Sequence, residues 1–170
     1  MLSASSFDGN YVLIGSNTLT LLAQRFYTIE FYIRPTGLPN VGNKMPIIGQ
    51  WSDTTANAAW LISLDYAGTL YFYYGPYSTS SPLFTSNNYL STNTWYHVAI
   101  TKNVDTFTLY VDGTARGTIV YGGMQAISPP AQLITVGNYY NTSGTLGGLN
   151  VDPYAGYITN LRIVSNNADS

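Results

Sequence analysis

The chain has no cysteine, one histidine, one glutamate and only six lysines and arginines in 170 residues. Without cysteine there are no disulfides, no thiol nucleophile and no thiolate metal site, and the redox compartment stays open. The six basic residues, Arg25, Arg34, Lys44, Lys102, Arg116 and Arg162, are scattered rather than striped. Nothing therefore supplies the phosphate-neutralising term on which nucleic-acid affinity rests, and no nucleic-acid partner is expected. No apolar run approaches the ~18 residues of a membrane-spanning helix, so membrane insertion is not expected. The opening residues, MLSASSFDGN, lack the basic and apolar regions of a secretory signal, and the chain as given reads as unsignalled.

The scarcity of acids also bears on catalysis. Glycoside hydrolysis with retention needs two carboxyl groups about 5 Å apart. Glu30 stands alone on its strand with Thr28, Tyr32 and Arg34 as same-face neighbours, and Asp65 has only Ser63 and Leu61 beside it. His97 would need a serine and an acid from other strands to form a triad, and no Gly-x-Ser-x-Gly elbow occurs. The expectation is a strand histidine that packs and hydrogen-bonds on the sheet face opposite Val98 and Ile100. Trp95, Val98 and Tyr110 are expected to serve the fold, and no catalytic residue is assigned. Asp53, Asn150 and Asp152 offer hard oxygen atoms, but a calcium ion takes six to eight. Loop capping is the expected role of these side chains, with no metal site assigned.

What the chain does have is aromatic surface and β-branched residues. Charged residues make up 8% of it, against about 25% in an ordinary soluble domain. Tyr, Thr, Asn and Ser must therefore cover the exterior, which suits pleated strands. FYTIEFYIR, residues 26–34, alternates Tyr27, Ile29, Phe31 and Ile33 against Thr28, Glu30, Tyr32 and Arg34, the period of a half-buried strand. AWLISLDYAGTLYFYYG, residues 59–75, reads as a hairpin around Ala67-Gly68 with Trp60, Ile62, Leu64, Leu70, Phe72 and Tyr74 inward. Further strands are expected at 96–101, at TFTLYV before the Asp112-Gly113 turn, at RGTIVYG, at QLITVGN and at AGYITNLRIV. In the last of these Ile158, Leu161 and Ile163 break parity, which predicts a β-bulge. A dozen short strands with turn residues between them predict a single all-β domain over 1–170, an antiparallel two-sheet sandwich.

Sixteen tyrosines exceed the needs of one core, because each phenol seeks a polar partner at a wet boundary. Tyr71 and Tyr73 fall opposite the expected core face. Tyr77, Tyr139, Tyr140 and Tyr154 fall in or beside the long irregular stretches 75–88 and 139–153, with Asn141 among them. Tyr77, Tyr139, Tyr140, Asn141 and Tyr154 are the candidate ligand-binding residues: flat rings stack on sugar faces while amides read hydroxyls, and the same surface suits a protein interface.

SFDGNYVLIG, YTIEFYIRP, WYHVAITKNVDTFTLYVDGTARG, LITVGN and YAGYITNLRIV, in that order, resemble the laminin-G-like and pentraxin-like branch of the concanavalin A-like lectin/glucanase superfamily. The resemblance implies a jelly-roll sandwich used for glycan or protein binding, with a calcium ion at one rim in some members and no other cofactor. The ending GYITNLRIV is similar to modules of tailed-phage virion proteins. It implies a non-catalytic module at a virion surface, decorating a capsid or a tail fibre, with virion proteins or cell-surface glycans as partners. A lectin-like domain of a secreted protein is the alternative, and a glycoside hydrolase a third. In that phage subgroup the chain usually continues past this strand, so a fragment or terminal module is expected. Its low charge leaves little repulsion against homo-oligomerisation.

Overall fold

A computed structural model describes residues 5–8, 12–14, 25–51, 59–74, 82–122, 133–138, 145–146 and 149–166. All regular structure among them is β. Strands β1 (Ser5–Asp8), β3 (Phe26–Pro35), β8 (Tyr96–Asn103), β9 (Thr106–Val111), β10 (Thr114–Val120) and β14 (Ala155–Asn166) form one six-stranded sheet, in the order β1-β14-β3-β8-β9-β10. Strands β2 (Val12–Ile14), β4 (Lys44–Gln50), β5 (Trp60–Asp65), β6 (Thr69–Tyr74), β7 (Phe84–Tyr89) and β11 (Ile134–Val136) form the second, in the order β2-β11-β4-β5-β6-β7. A short ribbon joins β12 (Thr145–Leu146) to β13 (Leu149–Asn150). Every pairing within the sheets is antiparallel.

β3 organises the first sheet because it is paired on both sides, with β14 and with β8. Its buried residues are Tyr27, Ile29, Phe31, Ile33 and Pro35, every second position, as the alternation of the sequence requires. They meet Ile62, Leu64, Leu70, Phe72 and Tyr74 of the second sheet, with Val98, Ile100, Phe107 and Leu109, in one core. Phe107 ties the layers together, with its ring 5.7 Å from Phe72, 5.9 Å from Tyr74 and 6.3 Å from Tyr27. Each such side chain contributes about 1.5–3 kcal/mol by leaving water.

The expected bulge is present in β14. Thr159 pairs with Tyr32 and Arg162 with Glu30, so two residues of β14 oppose one of β3, and Asn160 takes φ 53°. The extra residue resets the parity, so that Ile158 before it and Leu161 and Ile163 after it all pack on the core. Turn chemistry follows the sequence as well. Asp112 and Gly113 both have positive φ, 50° and 72°, which is the two-residue hairpin of type I′.

The hairpin of β5 and β6 has Trp60, Ile62, Leu64, Leu70, Phe72 and Tyr74 inward as read from the sequence. Its other face differs from expectation. Tyr73 is buried, in a second small cluster with Trp51 and Leu61, against which Tyr71 and Val151 pack. Strand parity put Tyr73 on the outer face correctly, but that face is itself covered.

Two turn glycines separate conformational strain from crowding. At Gly113 (φ +72°) a side-chain methyl group would stand in open space, whereas one at Gly68 (φ +81°) would lie 2.2 Å from the carbonyl oxygen of Leu90. Gly113→Ala is expected to cost about 1 kcal/mol and Gly68→Ala clearly more, read as the shift of the urea midpoint. Equal losses would show that the backbone at Leu90 gives way to the added methyl at no cost.

Candidate functional site

The outer face of the first sheet carries what the alternation of β3 excludes from the core: Thr28, Glu30, Tyr32 and Arg34. Cross-strand register sets their neighbours. Glu30 lies opposite Arg162 of β14 and Ala99 of β8, and Tyr32 lies opposite His97. The Glu30 carboxylate accepts from Arg162 Nε at 2.5 Å through Oε1, and its Oε2 stands 3.4 Å from His97 Nε2. The His97 ring lies against Tyr32, with centroids 4.9 Å apart. The backbone N–H of His97 donates to Asp112 Oδ1 at 2.8 Å, which fastens β8 to the turn at Asp112-Gly113. His97 therefore packs and bonds on the outer face as expected, and its acid neighbour is paired with arginine.

At the end of β3 this face meets a second group of rings. Trp95 and Tyr157 are 6.4 Å apart, and the Arg34 guanidinium sits 5.7 Å from the Tyr157 ring while its Nε donates to the Asn93 carbonyl at 3.3 Å. Trp95 is 43% and Tyr32 42% exposed, although large aromatic rings are ordinarily covered. Trp95 thus both packs on Tyr157 and leaves ring surface open to solvent. At the opposite end of β3, Phe26, Tyr27, Thr28, Thr101, Lys102 and Val164 line an open pocket of about 140 Å³.

The acids elsewhere hold the fold. Asp65 Oδ1 accepts from the backbone N–H groups of Ala67 and Thr69, at 2.9 Å each, and its Oδ2 accepts from the Tyr71 hydroxyl at 2.9 Å. Asp152 accepts from Asn40 N at 2.8 Å and from the side-chain amides of Asn40 and Asn43 at 3.2 and 2.9 Å. It is thus a clamp across the 37–43 loop, the capping role expected of it. Among the described residues no three His, Asp or Glu side chains gather as a metal site would require.

Of the five candidate ligand-binding residues, Tyr154 is described, and its placement corrects the expectation. It is fully buried in the main core, with its N–H bonded to the Gly137 carbonyl and its hydroxyl donating to the Tyr157 carbonyl at 3.4 Å. Tyr77, Tyr139, Tyr140 and Asn141 lie outside the described residues, as do Asp53 and the side chain of Asn150.

The model of the concanavalin A-like lectin/glucanases superfamily known as Laminin_G_3 matches residues 6–168. The chain belongs to this superfamily. Among solved structures it is similar to a Bacteroides ovatus ATCC 8483 protein with a provisional carbohydrate-binding assignment (TM-score 0.69, 19% identity, covering 96% of this chain and 44% of that one). It is similar to domain 4 of AbnA, an extracellular GH43 arabinanase of Geobacillus stearothermophilus, in complex with arabinotriose (TM-score 0.64, 15% identity, 95% and 70% covered). It is also similar to domains LG4-5 of the mouse laminin α1 chain (TM-score 0.65, 16% identity, 94% and 40% covered). The chain spans under half the length of the Bacteroides protein. No curated protein matches it by sequence. At these identities the likeness establishes the sandwich that the residues 5–165 motifs implied.

Two lysines are buried with the sheets, and their burial sets the pH dependence expected of this domain. Burial pushes the Lys44 amine, which lies over the Tyr71 ring at 3.0 Å, down to about 8, opposed by the Asp65 charge. Burial likewise lowers Lys102 to about 8, opposed by Asp105. Their unfolded value is 10.5, so above pH 8 the unfolded chain binds more protons and stability rises with pH. Burial raises Tyr74 to about 12 from 10.0, so above pH 10 the unfolded chain loses its phenolic protons first and stability falls. The urea midpoint is expected to rise from pH 8, turn over near pH 10, and lose part of that rise in Lys44→Met. A steady decline from pH 8 onward would contradict the burial of these amines.

Proposed function

We propose that this domain is a non-catalytic glycan-binding module whose contact surface is the outer face of the first sheet. One observation carries the proposal: two ring pairs, Tyr32 with His97 and Trp95 with Tyr157, each with one exposed ring, share one surface with a carboxylate and two guanidinium groups. Ring faces pack against the C–H surface of a sugar, and Glu30, Arg162 and Arg34 supply an acceptor and donors for its hydroxyls. The charges of Arg34 and Arg162 are offset by Glu30 and by Asp112 beside His97, which favours neutral hydroxyl-rich ligands over strongly ionic ones.

The chemistry that a hydrolase needs has no counterpart on this face. Glu30 is committed to Arg162, and Asp65, Asp112 and Asp152 hold turns and loops. The arabinotriose complex of the similar arabinanase domain and the carbohydrate-binding assignment of the Bacteroides protein support the glycan reading. As the setting we keep an extracellular or virion surface, which rests on the similarity of the GYITNLRIV ending to phage modules.

Glycan-array binding followed by calorimetry on a positive oligosaccharide tests the proposal. Trp95→Ala and Tyr32→Ala are each expected to weaken binding about tenfold, some 1.4 kcal/mol, with circular dichroism unchanged. Tyr77, Tyr139, Tyr140 and Asn141 belong in the same scan as a rival site. Loss on Tyr139→Ala or Tyr140→Ala, with Trp95→Ala and Tyr32→Ala neutral, would move the site to those residues.

A further inference from the structure

Resting on the glycan-binding reading, we infer that this face takes internal segments of a linear polysaccharide laid along the β3–β8 strand direction, rather than the terminal sugar of a branched glycan. A site for a terminal sugar is a single cavity closed on one side, with its polar groups converging on one ring. The face observed here has its features in series along one strand. The pocket at Phe26, Thr28, Thr101 and Val164 lies at the start of β3. Glu30 and Arg162 come next, then the Tyr32–His97 ring pair, then Arg34 with Tyr157 and Trp95.

Register orders this series along β3. Thr28 lies opposite Thr101 and Val164, Glu30 opposite Ala99 and Arg162, and Tyr32 opposite His97 and Thr159, so each feature is one step of two residues beyond the last. From Phe26 to Arg34 is eight residue steps, about 27 Å at strand rise, which is long enough for several sugar rings. Ala99, directly opposite Glu30 on β8, contributes only a methyl group midway along the series. Val164, 44% exposed, adds apolar surface at the pocket end, opposite in direction to Trp95. Two contact platforms of this kind at either end of a hydrogen-bonding stretch reward a ligand that reaches both, and a short ligand uses one at a time.

The test is calorimetry of the full chain with linear xylo-, cello- and arabino-oligosaccharides, each from the monosaccharide to the hexasaccharide. In a series that binds, affinity is expected to rise at least about tenfold between disaccharide and pentasaccharide and then level off. Thr28→Lys at one end and Trp95→Ala at the other are each expected to weaken the hexasaccharide about tenfold. Thr118→Lys, on β10 away from the strip, should leave it unchanged and controls for folding and surface charge. Monosaccharide affinity equal to that of the hexasaccharide, or sensitivity to the Trp95 variant with none to Thr28→Lys, overturns the extended path while leaving glycan binding intact. Binding to none of these series nor to any array glycan overturns both.

Discussion

The two-residue period of β3 is the constraint on which both the core and the proposed contact face depend. One set of its side chains, Ile29, Phe31 and Ile33, is taken out of water between the sheets. The intervening set, Glu30, Tyr32 and Arg34, is thereby committed to the outside. A slip of one residue would exchange the two sets, placing a carboxylate and a guanidinium in the core. Pairing on both edges, with β8 and β14, fixes that register, and the bulge at Asn160 lets β14 keep its own apolar residues inward on both sides of the irregularity.

The same constraint explains why a domain so poor in charge has its ion pairs where it does. Glu30 could not be buried alone, since an unpaired carboxylate in the interior is strongly disfavoured. On the outer face, Arg162 and His97 reach it from the strands on either side. Such an exposed arrangement adds little to stability. Its consequence is positional, because it holds an acceptor and donors beside exposed rings on one face of the sheet. Of the other described acids, Asp65 and Asp112 secure turns and Asp152 the 37–43 loop.

Much of this was legible in the residues because it is local. Alternation marked β3, β5 and β6, the Asp-Gly pair marked a hairpin, and three apolar residues out of phase marked the bulge in β14. What escaped was set by contacts between distant segments. Tyr73 was placed on the correct face of β6, yet Trp51 and Leu61 cover that face. Tyr154 follows a stretch whose sequence reads as irregular, yet its backbone is bound to Gly137 just after β11, and its ring lies in the core between the sheets. Trp95 lies just before β8, and its contact with Tyr157 joins residues 62 positions apart in the chain. The weak signal that was available is that Trp95 stands two positions before the outward-facing His97, which puts it on the same face of the strand.

The most direct measurement is amide chemical-shift mapping of the isotope-labelled domain during titration with a bound oligosaccharide from the array. The account predicts a contiguous set of shifted amides at Glu30, Tyr32, Trp95, His97, Ala99 and Arg162, with the β5–β6 hairpin unaffected. Shifts confined to residues 75–81 and 139–144, with those of β3 and β8 unchanged, would contradict it.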